Sequence, residues 1–410
     1  MVAFTAAQIP GVEWRTYPAS LAGSLYPQGI PIYPEKLLED VIREKRVDLA
    51  VFSYSDVSHQ EVMEKASRAM VAGANFMLLG PSFTFLEVRK PVIAVTASRT
   101  GAGKSTVTRY VMRVLKEENV NAVVIRHPMP YGVLERQVVQ RFEKYEDLDR
   151  YECTIEEREE YEPHLEAGNV VYAGVDYAKV LEEAEREADV IVWDGGNNDF
   201  PFIRPTIWIM VLDAHRPGQE LTHYPSIVNL MNADLFIINK ADTSPPANID
   251  AIKSVIMNHN PEAAIMTAGT RVAGEGLEKL SGLKVVALED GPSVTHGGMS
   301  WGIAYMSAMK AGAEIVDPRP FAVGSIAEAY KSYPHIGKVV PALGYTSGQV
   351  RDLEETLLRV KCDAIVSGTP TDITRIVQVD KPVYRVRYEL DDFGQTLLRD
   401  ILDRYGLIKD

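Results

Sequence analysis

The run Val92-Ile-Ala-Val-Thr-Ala-Ser-Arg-Thr-Gly-Ala-Gly-Lys-Ser-Thr106 leaves few folds open. From Val92 to Ala97 it is apolar or β-branched and reads as a buried strand. Two glycines then break the strand, and Lys104-Ser105 opens a helix-like segment. Strand, glycine loop and helix in that order form a phosphate cradle. Gly101 and Gly103 let the backbone turn tightly and aim its N–H groups at phosphate oxygens, and the positive end of the helix adds to the attraction. Lys104 reaches the β- and γ-phosphates, and the Ser105 hydroxyl ligates Mg²⁺. The pattern G-x-x-x-x-G-K-[ST] has Ser98 at its first glycine position, a small replacement. Arg99 beside it adds a cation next to the γ-phosphate. The expected nucleotide contacts are Arg99, Thr100, Gly101, Ala102, Gly103, Lys104, Ser105 and Thr106, with Lys104 and Arg99 assisting phosphoryl transfer.

The rest of the chain repeats the strand–helix alternation. Strand candidates fall at 92–97, 122–126, 189–194, 207–213, 234–239 and 284–288, with helices between them such as 105–117 and 177–187. This predicts a P-loop-type α/β fold: a mainly parallel sheet with helices on both faces. A smaller α/β unit precedes it, with strands near 48–54 and 75–79 and a helix over 62–72. Gly80-Pro81 breaks that pattern. The expected domains are 1–88, 89–318 with an acidic insertion at 134–167, and 319–410, the last packed on or continuing the sheet. The insertion is Glu-rich without apolar periodicity, which predicts a solvated helical arm or lid.

Composition narrows the function by exclusion. The net charge of −14 argues against a nucleic-acid surface. Cys153 and Cys362 are the only cysteines, so neither a disulfide framework nor a cysteine metal cluster is expected, and the chain suits a reducing cytoplasm. No apolar run is long enough to span a membrane, and the first ten residues do not have the pattern of a signal peptide.

Three further sets of residues carry chemistry. The strand Val190-Ile-Val-Trp-Asp194 ends in a carboxylate placed to hold Mg²⁺. Asn239-Lys240-Ala-Asp242 ends another strand and resembles the N-K-x-D base-recognition element of GTPases, in which the Asp accepts from guanine. It points to a purine nucleotide, GTP being the alternative to ATP. Basic residues cluster at strand ends: Arg126-His127, Arg204, His215-Arg216 and His296. Loops at the carboxyl ends of parallel strands line the ligand crevice of open α/β sheets. These residues are therefore expected to clamp a second, multiply charged anion, arginine being suited to bidentate phosphate contact.

At these residues the chain resembles the cyclic 2,3-diphosphoglycerate synthetase family. The matching stretches are Val92–Ser105, Arg126-His-Pro-Met-Pro-Tyr-Gly132, Tyr161-Glu-Pro-His-Leu-Glu-Ala-Gly168, Val211-Leu-Asp-Ala-His-Arg-Pro-Gly218, Glu289-Asp-Gly-Pro-Ser-Val-Thr-His-Gly-Gly298 and Val386-Arg-Tyr-Glu-Leu390. The resemblance implies an ATP- and Mg²⁺-dependent ligase that closes 2,3-diphosphoglycerate into an intramolecular phosphoanhydride. The basic residues would then hold that substrate, and a homodimer is left open. Two alternatives stand beside it: a related kinase acting on another phosphorylated small acid, and a GTPase switch or metallochaperone.

Overall fold

Two mainly parallel sheets carry the chain, and their carboxyl ends point at the same helix. The computed structural model describes residues 1–7, 12–127, 129, 132–196, 198–295, 297–344, 346–391 and 395–408. The first sheet contains β1 (Val92–Ala97), β2 (Ala122–Arg126), β3 (Gln140–Phe142), β4 (Val171–Ala173), β5 (Val190–Asp194), β6 (Ile207–Asp213), β7 (Leu235–Asn239) and β8 (Ala264–Thr267). Their order is β8-β7-β6-β1-β5-β2-β4-β3, parallel throughout except for the edge pair β4–β3. Every residue of β1 and β6 is buried, as central parallel strands covered on both faces require. Ile93 and Val95 pack on one side with Val107, Val111 and Leu115 of α1 (Lys104–Glu117). Val92 and Ala94 pack on the other with Trp193 and Leu181. This is the P-loop architecture predicted from the alternation.

The second sheet holds β10 (Lys284–Asp290), β11 (Glu314–Ile315), β12 (Val339–Ala342), β13 (Ala364–Ser367) and β14 (Val383–Arg385), all parallel. The sequence reading ran the P-loop unit through residue 318, but β10 is hydrogen-bonded into this second sheet instead. A buried parallel strand has the same apolar signature in either sheet, so its partners cannot be read from it. Between the sheets, β9 (Thr270–Ala273) pairs antiparallel with β15 (Arg387–Leu390). The chain thus leaves the first unit on one strand and returns on its neighbour. It ends in α3 (Gln395–Arg404), whose Leu398, Ile401 and Leu402 lie in the α1 core. Arg399 pairs with Glu117 of α1 and with Glu118 just past its end at 2.8 and 2.6 Å.

The acidic insertion is not a solvated arm. Its helix α2 (Ile155–Glu166) is buried on both sides, with Glu162 and His164 fully enclosed. Tyr161 and Leu165 join the core of the first sheet, while Ile155 joins that of the second. A helix packed on both flanks shows no apolar stripe, and its carboxylates face strand-end N–H groups and arginines rather than water. The Glu156 carboxylate accepts from the Gly344 amide at 3.0 Å, and Glu162 accepts from the Asp372 amide at 2.7 Å. Burial pushes the Glu156 carboxyl up to about 7.

In the N-terminal unit, Leu49–Phe52 and Asn75–Leu78 pair in parallel, with the helix His59–Ala72 packed against them. Val57–Ser58 adds an antiparallel bridge to His223–Tyr224 of the P-loop unit. Among the described residues no helix is long and apolar enough to cross a membrane. If α3 is part of the first core, Leu402→Ala removes a fully buried side chain and is expected to cost about 2–5 kcal/mol in chemical denaturation. A loss under about 1 kcal/mol would mean that the helix only rests on the surface.

Candidate active site

The loop between β1 and α1 is held from outside by its carbonyl groups. Ser98 O accepts from Ser226 Oγ at 2.6 Å, Thr100 O from Arg216 Nη2 at 2.9 Å, Gly101 O from Lys240 Nζ at 2.8 Å and Ala102 O from Asn239 Nδ2 at 2.9 Å. The C=O and N–H groups of a peptide point in opposite directions. Tying the Ser98, Thr100 and Ala102 carbonyls outward therefore turns the Arg99, Gly101 and Gly103 amides to the other side, where a phosphate would lie, while the Ala102 amide closes a turn on Arg99 O at 3.2 Å. Gly101 and Gly103 adopt left-handed backbone, with φ of 81° and 99°. A Cβ on Gly103 would run into the Asn239 amide, so the position admits only glycine.

The braces are themselves anchored. Asp213, at the end of β6, accepts from Arg216 Nε at 2.8 Å and from Lys240 Nζ at 2.7 Å. Burial works to raise its pKa, yet Lys240 and Arg216 together hold the carboxyl below its ordinary value. Lys240 reaches the loop from a left-handed conformation, φ 60°, which is strained for a side chain of this length. On the other flank stands Asp56 of the N-terminal unit, also left-handed at φ 57°. It accepts from Arg99 Nε at 2.6 Å and from Thr100 Oγ1 at 2.7 Å, while Arg99 Nη1 lies 2.8 Å from His223 Nε2.

Asp194 is fully buried at the end of β5 and collects three partners. Lys104 Nζ lies 2.6 Å from Oδ1, Arg126 Nη1 3.2 Å from the same oxygen and His164 Nε2 3.3 Å from Oδ2. Burial would raise the Asp194 pKa, but Arg126 and Lys104 overcome it and keep the carboxylate ionised well below the usual range. Lys104 is lowered by burial and by the like charge of Arg126, since two cations share one carboxylate. Burial likewise lowers His164 and keeps it neutral, with Nδ1 3.5 Å from Asn169 Nδ2.

Arg126 also donates to Glu160 of α2, which takes the charge network to the second sheet. There Glu159 accepts from Thr369 Oγ1 at 2.6 Å, just past β13, and is hydrogen-bonded to Asp290 at the end of β10. Burial first, then their mutual repulsion, raises the Glu159 carboxyl well above its ordinary value, and burial raises Asp290 as well. The site therefore lies between two sets of strand ends, with Lys104 and Arg126 around Asp194 on the phosphate side and carboxylates on the other.

Residues expected from the sequence are distributed unevenly in this geometry. Arg99 through Thr106, Lys104 and Asp194 stand together. Asn239 and Lys240 reach the loop's outer carbonyls. Asp242 lies farther along, accepting from Thr270 N at 3.1 Å. Of the residues expected to clamp a second anion, Arg126 is in the crevice, and His127 packs beside Gly196. Arg216 braces the loop, and His215 bonds Thr243 Oγ1 at 2.9 Å. Arg204 is not brought to the crevice. It lies half-exposed, 5.2 Å over the Phe85 ring and 3.4 Å from Glu87. His296 is outside the described residues. The sequence reading missed Asp56, Asp213, Glu159, Glu160, His164 and Asp290. Tyr161–Gly168 was visible as a motif, but its charges resembled a solvated surface.

Ser105, next to Lys104, and Asp194 carry the hard oxygens that a Mg²⁺ shared with nucleotide phosphates would take, and such an ion needs only one or two protein ligands; in this arrangement the Asp194 oxygens face Lys104, Arg126 and His164. Among the described residues no group of three His, Cys, Asp or Glu could hold a metal ion without such help.

No family model matches the chain. The arginine synthetase ArcE of Thermococcus kodakarensis is 54% identical over 407 residues, which span 99% of this chain and 91% of that protein. A cyclic 2,3-diphosphoglycerate synthetase of the same organism is 24% identical over 269 residues, 57% of this chain and 60% of its own. The kinship read from the motifs is present, while the full-length likeness is to a differently named enzyme. A solved structure of LpxK from Aquifex aeolicus in complex with ATP is 13% identical, covers 78% of this chain and 90% of its own, and superposes with a TM-score of 0.47. That likeness is too low to bear on the site.

Asn239→Ala tests the outward ties. It leaves the Ala102 carbonyl and the Lys240 amide without their partner and is expected to cost about 1–3 kcal/mol in chemical denaturation. Titration calorimetry should show weakened nucleotide affinity although the residue sits behind the loop. Unchanged affinity would mean that the loop keeps its shape without the tie.

Proposed function

This chain belongs to the family of the arginine synthetase ArcE, and on that footing we propose that it is a nucleotide-dependent P-loop synthetase that makes arginine. The observation that carries this reading is the carboxylate lining beyond Arg126. Glu159 is 8% exposed and is paired with Asp290, with Glu160 at the Arg126 end of the crevice. Paired carboxylates suit a guanidinium, whose planar N–H fork they match. A polyanion such as 2,3-diphosphoglycerate would be repelled there, and the basic residues read for it are dispersed. Cyclisation of that substrate is therefore the second reading, supported by the more distant kinship.

The chemistry asks for a good leaving group. Arginine's terminal carbon acquires its last nitrogen most directly from a ureido precursor, whose oxygen must depart. The γ-phosphoryl group of ATP, or of GTP, passes to that oxygen and the nucleoside diphosphate leaves. Ammonia then forms the C–N bond, the C–O bond breaks, phosphate departs, and the surplus proton is released to solvent. The loop amides and Lys104 hold the β- and γ-phosphates, with Arg99 beside them. Arg126, between Asp194 and Glu160, lies where charge builds during transfer. Glu159 and Asp290 bind the emerging guanidinium and orient its carbon. Mg²⁺, when bound at Ser105 and Asp194, would neutralise phosphate charge. Cys153 and Cys362 are unpaired, and we read the enzyme as cytoplasmic.

Incubating the protein with citrulline, ammonium and ATP or GTP should yield arginine and phosphate in equal amounts, read by chromatography and ³¹P NMR. Cyclic product from 2,3-diphosphoglycerate with no arginine would favour the second reading. Nucleotide hydrolysis independent of either would favour a switch. Glu159→Gln is expected to raise KM for the amino acid roughly 10- to 100-fold, the value of a charge-assisted hydrogen bond, with the nucleotide KM unchanged.

The raised carboxyls add a pH signature. The Glu159–Asp290 pair is protonated below its raised pKa, whereas a guanidinium favours the ionised form. Arginine binding should therefore release a proton and strengthen as pH rises through that range. Calorimetry in buffers of different ionisation enthalpy measures the release. Its absence in the wild type would move the guanidinium elsewhere.

A further inference from the structure

The strand order says where a nucleobase would lie. From the phosphate loop after β1, the sheet continues through β6 and β7 to β8. Strands lie about 4.8 Å apart, so the loops after β7 and β8 are about 10–14 Å from the phosphate seat, the reach of a ribose and an α-phosphate. A groove of about 450 Å³ opens there. Pro246, Ile249 and Ala268 give it an apolar wall suited to a ring, Asp250 and Lys253 line its α-helical side, one turn apart, and Asp242 and Asp391 line it as well.

These two carboxylates come from distant parts of the chain. Asp242 follows β7 and spends Oδ1 on the Thr270 amide. Asp391 is the first residue after β15, where the chain returns from the second sheet. It exchanges bonds with Gly269: Oδ2 accepts from the Gly269 amide at 3.0 Å, and the Asp391 amide donates to Gly269 O at 3.1 Å. A Cβ on Gly269 would collide with Asp391 Oδ2 and lie 3.0 Å from Asp242 Cγ. Glycine thus lets both carboxylates close over one point of the groove. Meanwhile Asn239 and Lys240, the other members of the sequence element, are bonded to the phosphate loop. The base-facing part of the element therefore falls to Asp242, with Asp391 beside it.

Two carboxylates at the edge of a groove complement a hydrogen-bond donor and repel an acceptor. We propose that Asp391, together with Asp242, reads an exocyclic amino group of the nucleobase, so that nucleotide selection depends on the returning C-terminal segment. The proposal rests on the nucleotide reading above and is independent of what the phosphoryl group is used for.

The test is calorimetric binding to the full chain without amino acid, using two pairs of diphosphates. ADP is compared with purine riboside diphosphate, which lacks the 6-amino group, and GDP with IDP, which lacks the 2-amino group. In the wild type, loss of the amino group is expected to weaken one pair roughly 10- to 100-fold, the range for a hydrogen bond to a charged group. That ratio should collapse toward one in Asp391→Ala and stay below the wild-type value in the nearly isosteric Asp391→Asn, with pyrophosphate affinity unchanged. A wild-type ratio near one in both pairs would overturn the proposal. So would an unchanged ratio in both variants, or a uniform weakening of all four nucleotides with a lowered melting temperature. Should the wild type bind none of them, the nucleotide reading itself fails, whereas binding with the expected ratios but no arginine formed leaves the proposal standing.

Discussion

The outward tethering of the phosphate loop is the constraint on which the rest of the structure depends. Glycines make the turn possible, but they equally allow many other loop shapes. The carbonyls of Ser98, Thr100, Gly101 and Ala102 each accept from a different side chain, and together these bonds select one shape. Three of the donors, Arg216, Lys240 and Asn239, come from the ends of β6 and β7 or the turns just beyond them. Asp213 sets two of these cations, so an ionised carboxylate behind the loop governs how amides are presented in front of it.

The second organising feature is the buried charge chain from Lys104 through Asp194 and Arg126 to Glu160, with Glu159 and Asp290 beyond it. Isolated, any of these ions would cost several kcal/mol to bury. From Lys104 to Glu160 the signs alternate and each ion compensates its neighbour, whereas Glu159 and Asp290 share a hydrogen bond with raised carboxyls; the network draws α2 into the gap between the sheets. The same arrangement gives the crevice two electrostatic halves. Phosphates suit the Lys104 side, and a cation suits the Glu159–Asp290 side. The guanidinium binding proposed above rests on this division.

Much of the fold was legible in the sequence because buried parallel strands and amphipathic helices leave direct periodic marks. The run 92–97, the helix after it and the strands at 122, 190, 207 and 235 stand where their patterns put them. The place of Asp194 beside the loop was readable because it ends such a strand after the glycine loop. Arg204 and His215 could not be resolved this way, since a basic residue at a strand end looks the same whether it faces the crevice, a neighbouring ring or a threonine. Asp56 was also hidden, because its contact with Arg99 depends on a short bridge between units far apart in the chain.

By itself the sequence determined the phosphate-binding chemistry, because it resides in a contiguous strand, loop and helix whose residues act on one another locally. Only the tertiary structure decided which sheet receives β10, that the acidic helix is buried, and which charges meet across the crevice. Those outcomes depend on pairings between segments whose local patterns are indistinguishable. A carboxylate in a Glu-rich run has the same sequence signature facing water or facing an arginine, and only packing on both sides of α2 separates the two.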